Sequence, residues 1–347
     1  MAALVLPTVA DPVQPVHPLS KAFANALAPH LNDPRDASIA RMVLLMTAVE
    51  ATGATALYVS FSWPLAVLYS AVNFVFFITP YTLLLHNVSH RPLFKRWTWA
   101  NFYVSNILGM VYGQSPFTYA SHHLGMHHAE GNLEGDLSST MKYERDNFIH
   151  WLRYWARFFF LGTYELPKYH FARKHYALGF KALFGELFFL LLVGSLLVWN
   201  WQPTFVVFVL PFMLMRLAMM MGNWGQHAFV DPKAPDNDFV SSITCINTRY
   251  NKTCFNDGYH IGHHLKANRH WTELPGDFLS NAERYAKEEA LVFDGIDFFQ
   301  VWVLLMVRRY DILAKHVVPL KPEWADKAVV ESVLRARTRP IVRTLPA

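Results

Sequence analysis

The sequence predicts an all-α integral membrane protein: four transmembrane helices in two hairpins, interfacial helices, and a cytosolic cap rich in histidine. Three observations carry this. Hydrophobic residues make up 53% of the chain, aromatics 15% and charged residues only 16%, against about 45–50% apolar and about 25% charged in soluble domains. Four apolar runs each approach the ~20 residues that cross ~30 Å of hydrocarbon. Histidines gather in four short clusters: HNVSH from His86 to His90, HLGMHH from His123 to His128, NWGQH ending at His227, and HIGHH from His260 to His264.

Residues 1–40 carry Pro7, Pro12, Pro15, Pro18, Pro29 and Pro34 and read as a largely extended cytosolic lead-in of little chemical content, without a cleavable secretory signal. The membrane domain, residues 41–310, opens with apolar runs at about 42–61 and 64–85, joined by FSWP, where Trp63 and Pro64 suit a membrane interface. A second pair, about 180–199 and 205–221, is joined by WNWQP. Between the pairs, residues 99–119 are apolar. Asn101, Ser105, Asn106, Gly109, Gly113, Gln114 and Pro116 make them a poor span, and a re-entrant or interfacial helix is expected. Interfacial helices are also expected at 148–162, where aromatics alternate with Arg153 and Arg157, and around 297–307. Residues 311–347 read as a basic cytosolic tail.

His86 follows the second crossing and His227 the fourth, with no later span before HIGHH, so all four clusters emerge on one face. The connection from Arg91 to Lys181 is rich in Lys and Arg while both hairpin tips have none. Positive-inside bias therefore places the histidine face in the cytosol, of either the endoplasmic reticulum or a bacterial inner membrane. Cys245 and Cys254 form no CxxC motif and read as reduced thiols. The net charge of +5 comes without a compact Arg-rich or Gly-rich motif. It suits anionic lipid headgroups and not nucleic acid.

Nine clustered histidines exceed the roughly six ligands of an octahedral ion, so two metals in one site is the economical reading. His86 and His90, His123 and His127, and Asn223 and His227 are each four apart, and His260 stands three and four residues before His263 and His264. On helices these spacings share a face, which would aim the imidazoles at one centre. Imidazoles without cysteine argue against thiolate zinc and iron–sulfur clusters. Beside lipid, iron is favoured, because unactivated C–H bonds need an oxidant that no side chain provides and that redox-inert zinc does not supply. A lone HxxxH arises by chance; the ordered set at membrane exits on one side carries the argument.

Outside the clusters, His17, His30, His150, His170, His175 and His316 are expected to be solvated or interfacial, and His122 and His270 are left open. Asp136, Asp257 and Glu273 are either acceptors for imidazole N–H groups or ordinary surface acids. Glu50, Glu186 and Arg216 lie in or near spans, where a charge must pair or snorkel; Arg216 is expected to snorkel, and Glu50 has no evident partner. A metal transporter would hold its ligands near the bilayer midplane. A haem protein would pair histidines within opposing helices. Neither pattern is present.

The clusters resemble the histidine boxes of the integral-membrane fatty acid desaturase and hydroxylase superfamily, which read HxxxH or HxxxxH, HxxHH or HxxxHH, and HxxHH. The resemblance spans roughly residues 86–275 in motifs and residue 42 onward in topology. It implies a non-haem di-iron centre with O2 as co-substrate, held by His86, His90, His123, His127, His128, His260, His263 and His264. His227 is implied as a ninth ligand and Asn223 as a weaker contributor. The third box begins with His260 and no HPGG haem motif is present, so electrons are expected from a separate donor such as cytochrome b5 or ferredoxin with its reductase. GYHIGHH and the four spans resemble lipid desaturases, whereas the second box with its following GNLEGDLSS also resembles alkane hydroxylases. Desaturation of a fatty acyl lipid is the implied reaction, with alkyl-chain hydroxylation as the alternative. Gly109, Gly113 and Gly222, with aromatics from Trp97 to Tyr119, either shape an acyl tunnel or serve helix packing.

Overall fold

The computed structural model describes residues 6–15 and 20–341; His17 and the end of the C-terminal tail lie outside them. Among the described residues, four helices are long and apolar enough to cross a membrane: Pro34–Val59, Trp63–His90, Tyr176–Trp199 and Trp201–Gln226. The first hairpin turns at Ser60, and the Ser62 hydroxyl accepts the Leu65 N–H while Pro64 sits in the first turn, a polar cap on an apolar helix. In the second hairpin Asn200 alone separates the two spans.

The chain divides into two compact units. The first comprises residues 1–13, 126–161 and 219–347, and the second residues 14–125 and 162–218.

The second unit holds three spans and most of the fourth. Leu57, Ala66, Tyr69, Val206 and Val207 form one core cluster, and Met110, Phe189 and Val193 another. The outward faces are equally apolar, with Leu45, Val67, Leu191 and Val198 exposed, the pattern of helices whose solvent is lipid. Arg216 does not snorkel: it is buried, forms an ion pair with Glu186, and its guanidinium lies 4.1 Å from the Phe212 ring centroid. A charge this deep costs several kcal/mol unless paired, and Glu186 supplies the pair. Glu50 accepts a hydrogen bond from the Tyr69 hydroxyl.

The segment 99–119 is not among the candidate spans. Its helix stops at Val111, Gly113 adopts φ +80, and the Phe117 N–H returns to the Asn106 side chain at 2.8 Å. The chain thus doubles back. Gly113 is required where it passes the Pro211 carbonyl, and a methyl at Gly109 would meet the Tyr81 hydroxyl at 2.8 Å. At these two glycines close packing explains the residue.

Among the described residues the first unit carries short helices and one parallel strand pair, Thr244–Ile246 with Val292–Asp294, and its buried residues include Phe229, Phe239, Phe278 and Phe293. The lead-in is less extended than its prolines suggest. Lys21–Leu27, which contains no proline, is helical behind a Ser20 cap. Asp11, in the first unit, is buried and accepts from the Asn247 N–H at 2.6 Å and the Tyr259 hydroxyl at 2.7 Å. The C-terminal region is folded too: Tyr310–His316 and Lys327–Ala336 are helices, and Leu313, Trp324, Val330 and Leu334 are buried.

Candidate metal centre

Within the first unit, His127, His227, His260 and His264 each offer a ring nitrogen, all within 4.8 Å of one another. The Nε2 atoms of His227 and His260 are 3.3 Å apart, and those of His260 and His264 are 3.0 Å apart. Two nitrogens bound to one ion at ~2.1 Å lie roughly 3.0–3.4 Å apart for octahedral or tetrahedral angles. The observed spacing is that of ligands sharing an ion.

Tautomers support the same reading. His127 Nδ1 lies 2.6 Å from Asp136 Oδ2, and His227 Nδ1 lies 2.8 Å from the Ser241 carbonyl. An N–H donated at Nδ1 leaves Nε2 as a bare lone pair facing the group. Burial pushes His227 down to about 3, so the imidazole is neutral and able to ligate at physiological pH. Asp136 is itself fixed, its Oδ1 accepting from the Ser138 N–H at 2.7 Å and hydroxyl at 2.6 Å. The Thr140 hydroxyl holds the His227 carbonyl at 2.7 Å. Four imidazoles without a thiolate, two of them held from behind by Asp136 and the Ser241 carbonyl, fit iron.

In the second unit, His86, His90 and His123 also bring ring nitrogens within 4.8 Å, with His90 and His123 Nε2 atoms 3.1 Å apart. In the first unit His128 and His263 face each other, Nε2 to Nε2, at 3.0 Å.

The ligand groups do not follow the boxes. His86 and His90 share a group, and so do His260 and His264, as helical spacing demands. His123 and His127, the two ends of a π turn, do not. The HH doublets also split, since neighbours on a helix point about 100° apart.

Asn223 lies one turn before His227, and its amide N–H groups go to the Ser138 carbonyl at 3.0 Å and the Tyr154 hydroxyl at 2.6 Å. It thus ties the fourth span to the loop that holds Asp136. Asp257 accepts from the Tyr250 hydroxyl at 2.7 Å and Gln226 at 3.1 Å. His170 is not solvated but fully buried, its Nε2 3.0 Å from the Ser121 carbonyl; that bond makes up for its lost hydration. His30 stacks on Trp97 and His316 lies 2.7 Å from the Asp294 carbonyl. His150 accepts the Glu144 N–H. His270 accepts the Thr272 N–H and caps the turn Trp271–Glu273. Among the described residues, His122 and His270 stand outside both histidine groups.

The backbone carbonyl of Ser241 and the Ser138 and Thr140 hydroxyls were not singled out from the sequence. The second unit also contains a cavity of about 320 Å³ with a largely apolar lining that includes Leu85, Val88, Phe102, Val104, Phe117 and Tyr119. Leu85 and Val88 flank His86, so the helix carrying the first box forms part of its wall.

Residues 22–293 match the family model for fatty acid desaturases. No curated protein and no solved structure gives a significant match. A match over most of the chain, on four apolar helices and clustered histidines, leaves one assignment: this is an integral membrane protein of oxidoreductase type, and the chain belongs to the fatty acid desaturase family.

Proposed function

We propose that the protein introduces a double bond into a fatty acyl lipid, using two irons, O2 and electrons from a separate donor such as cytochrome b5 or ferredoxin with its reductase. The observation that carries the proposal is the set His127, His227, His260 and His264, three of them buried and His264 half-buried, nitrogen to nitrogen, at the exit of the fourth span. That set would hold one iron, and in the second unit His86, His90 and His123 offer ring nitrogens for another. Bound iron would supply the O2-derived oxidizing power that C–H cleavage requires.

The protein's own residues do the rest. Asp136 and Ser241 hold two imidazoles in the ligating tautomer, the surrounding burial excludes water, and the apolar cavity beside the first box accepts an alkyl chain. The Lys and Arg excess between Arg91 and Lys181 supports a cytosolic metal face. The exposed apolar residues Phe148, Ile149 and Leu152 on Phe148–Ala172 support an interfacial helix there.

Hydroxylation of the chain is the second reading, favoured by the GNLEGDLSS stretch, whose Asp136 and Ser138 form part of the site. Desaturation needs two adjacent C–H bonds held within reach, and hydroxylation needs one. Expression in a host lacking the activity, followed by mass spectrometry of total lipids, separates them. An alkene shows the loss of two hydrogens and an alcohol the gain of one oxygen. Alcohol without alkene would refute desaturation and leave the metal assignment standing.

A further inference from the structure

The Arg145 guanidinium has no exposed surface, yet its partners are backbone carbonyls. Nε donates to Ala228 at 2.9 Å, Nη1 to Met141 at 3.1 Å and Tyr143 at 3.3 Å, and Nη2 to Arg337 at 2.8 Å and Arg339 at 2.7 Å. The Arg145 N–H adds a bond to the Thr338 carbonyl at 2.9 Å. A buried cation is costly unless its donors are satisfied, and here the planar fork satisfies them by joining two distant pieces of chain. One piece is the segment just past Ala336, which lies beyond the family match. The other is the peptide that follows His227.

Two further links lead to the same ligand. The Thr140 hydroxyl, four residues after Asp136, holds the His227 carbonyl. Arg337, in the C-terminal segment, forms an ion pair at 2.8 Å with Asp231, four residues after His227. Tyr310 fastens the arrangement from behind, its hydroxyl 2.8 Å from Asp146 Oδ2 and 3.1 Å from the Thr338 hydroxyl.

We infer that the C-terminal segment 337–341 is a clamp on the metal centre and that Arg145 is its positioning residue, setting where the His227 imidazole stands relative to His260 and His264. The inference rests on the reading of His227 as a ligand, and its test separates the two.

Iron-loaded full-length protein in detergent is challenged with graded chelator, and the same variants are loaded with cobalt(II) to record its ligand-field absorption. Losing a partner that orients a ligand typically costs about 10–100-fold in metal affinity. Arg145→Met, Arg337→Met and Thr140→Val are expected to release iron at a chelator concentration at least about tenfold lower, with displaced cobalt bands. Arg145→Lys, which keeps the charge but loses the fork, should fall between them and the wild type. Should Arg145→Met fail to fold, Thr140→Val and Arg337→Met decide, with helix content checked by circular dichroism. Wild-type retention and unshifted bands in those two would overturn the clamp. His227→Ala tests the underlying reading: if it retains iron as the wild type does, His227 is not a ligand and the clamp falls with it. If His227→Ala loses iron while the others do not, the ligand stands and only the clamp is refuted.

Discussion

Changing Asp136 to Asn alters no volume and removes one charge, yet it should disable the four-histidine set. In the native site Oδ2 accepts from His127 Nδ1 at 2.6 Å, and Oδ1 accepts two bonds from Ser138, at 2.7 and 2.6 Å. An asparagine has one acceptor oxygen for these two directions. If the oxygen serves Ser138, the amide NH2 faces His127 Nδ1, forces that nitrogen to accept, and moves the imidazole proton to Nε2, where the metal would bind. If the oxygen serves His127, the NH2 opposes two Ser138 donors. Asp136 and His127 are both buried, so water cannot repair either mismatch, and a buried unsatisfied group costs about 1–3 kcal/mol. At 1.4 kcal/mol per decade this is roughly 5–150-fold in iron affinity, overlapping the 10–100-fold range known for such partners. The assay is iron per chain in never-chelated, detergent-purified protein, followed by chelator competition. Undiminished iron and wild-type chelator resistance in Asp136→Asn would refute the tautomer argument.

Other outcomes follow from the same geometry. Purified protein should carry about two irons per chain, since nine imidazoles exceed one coordination sphere; active protein holding only zinc would falsify the redox reading. Alanine at any of His86, His90, His123, His127, His128, His227, His260, His263 or His264 should abolish product and deplete iron. His150→Ala and His175→Ala should retain most activity, and Asn223→Ala should be intermediate, as measured by lipid mass spectrometry. Arg216→Met should destabilise the protein by about 3–5 kcal/mol by stranding Glu186 in the spans, while the double change with Glu186→Leu should recover most of the loss in a detergent melting experiment. Gly185→Ala should lower the melting temperature, because its methyl would collide with the Pro116 backbone carbonyl; an unchanged melt would show that this packing yields.

The sequence alone determined the class of protein and picked out the histidines proposed here as ligands. Apolar runs of membrane-crossing length need no tertiary context, because a backbone in hydrocarbon must satisfy its own hydrogen bonds and does so as a helix. The spans at Trp63–His90 and Trp201–Gln226 deliver His86 and His227 to the membrane exit by chain connectivity. Histidine is chemically distinctive enough that nine in four boxes announce a metal wherever the chain takes them. Tertiary structure decided how those nine divide. His123 and His127, two histidines of one box, fall in different groups, which the rule that residues four apart share a helix face does not foresee. Only the fold shows that Asp136, and not merely some nearby acid, meets His127 Nδ1, that Glu186 pairs with Arg216, and that His170 is buried. Each of these depends on which residues far apart in sequence become neighbours. Likewise a run that read as a basic tail returns to the core through the carbonyls of Arg337 and Arg339: backbone carbonyls carry no signature in sequence, so a clamp built from them is visible only once the chain has folded.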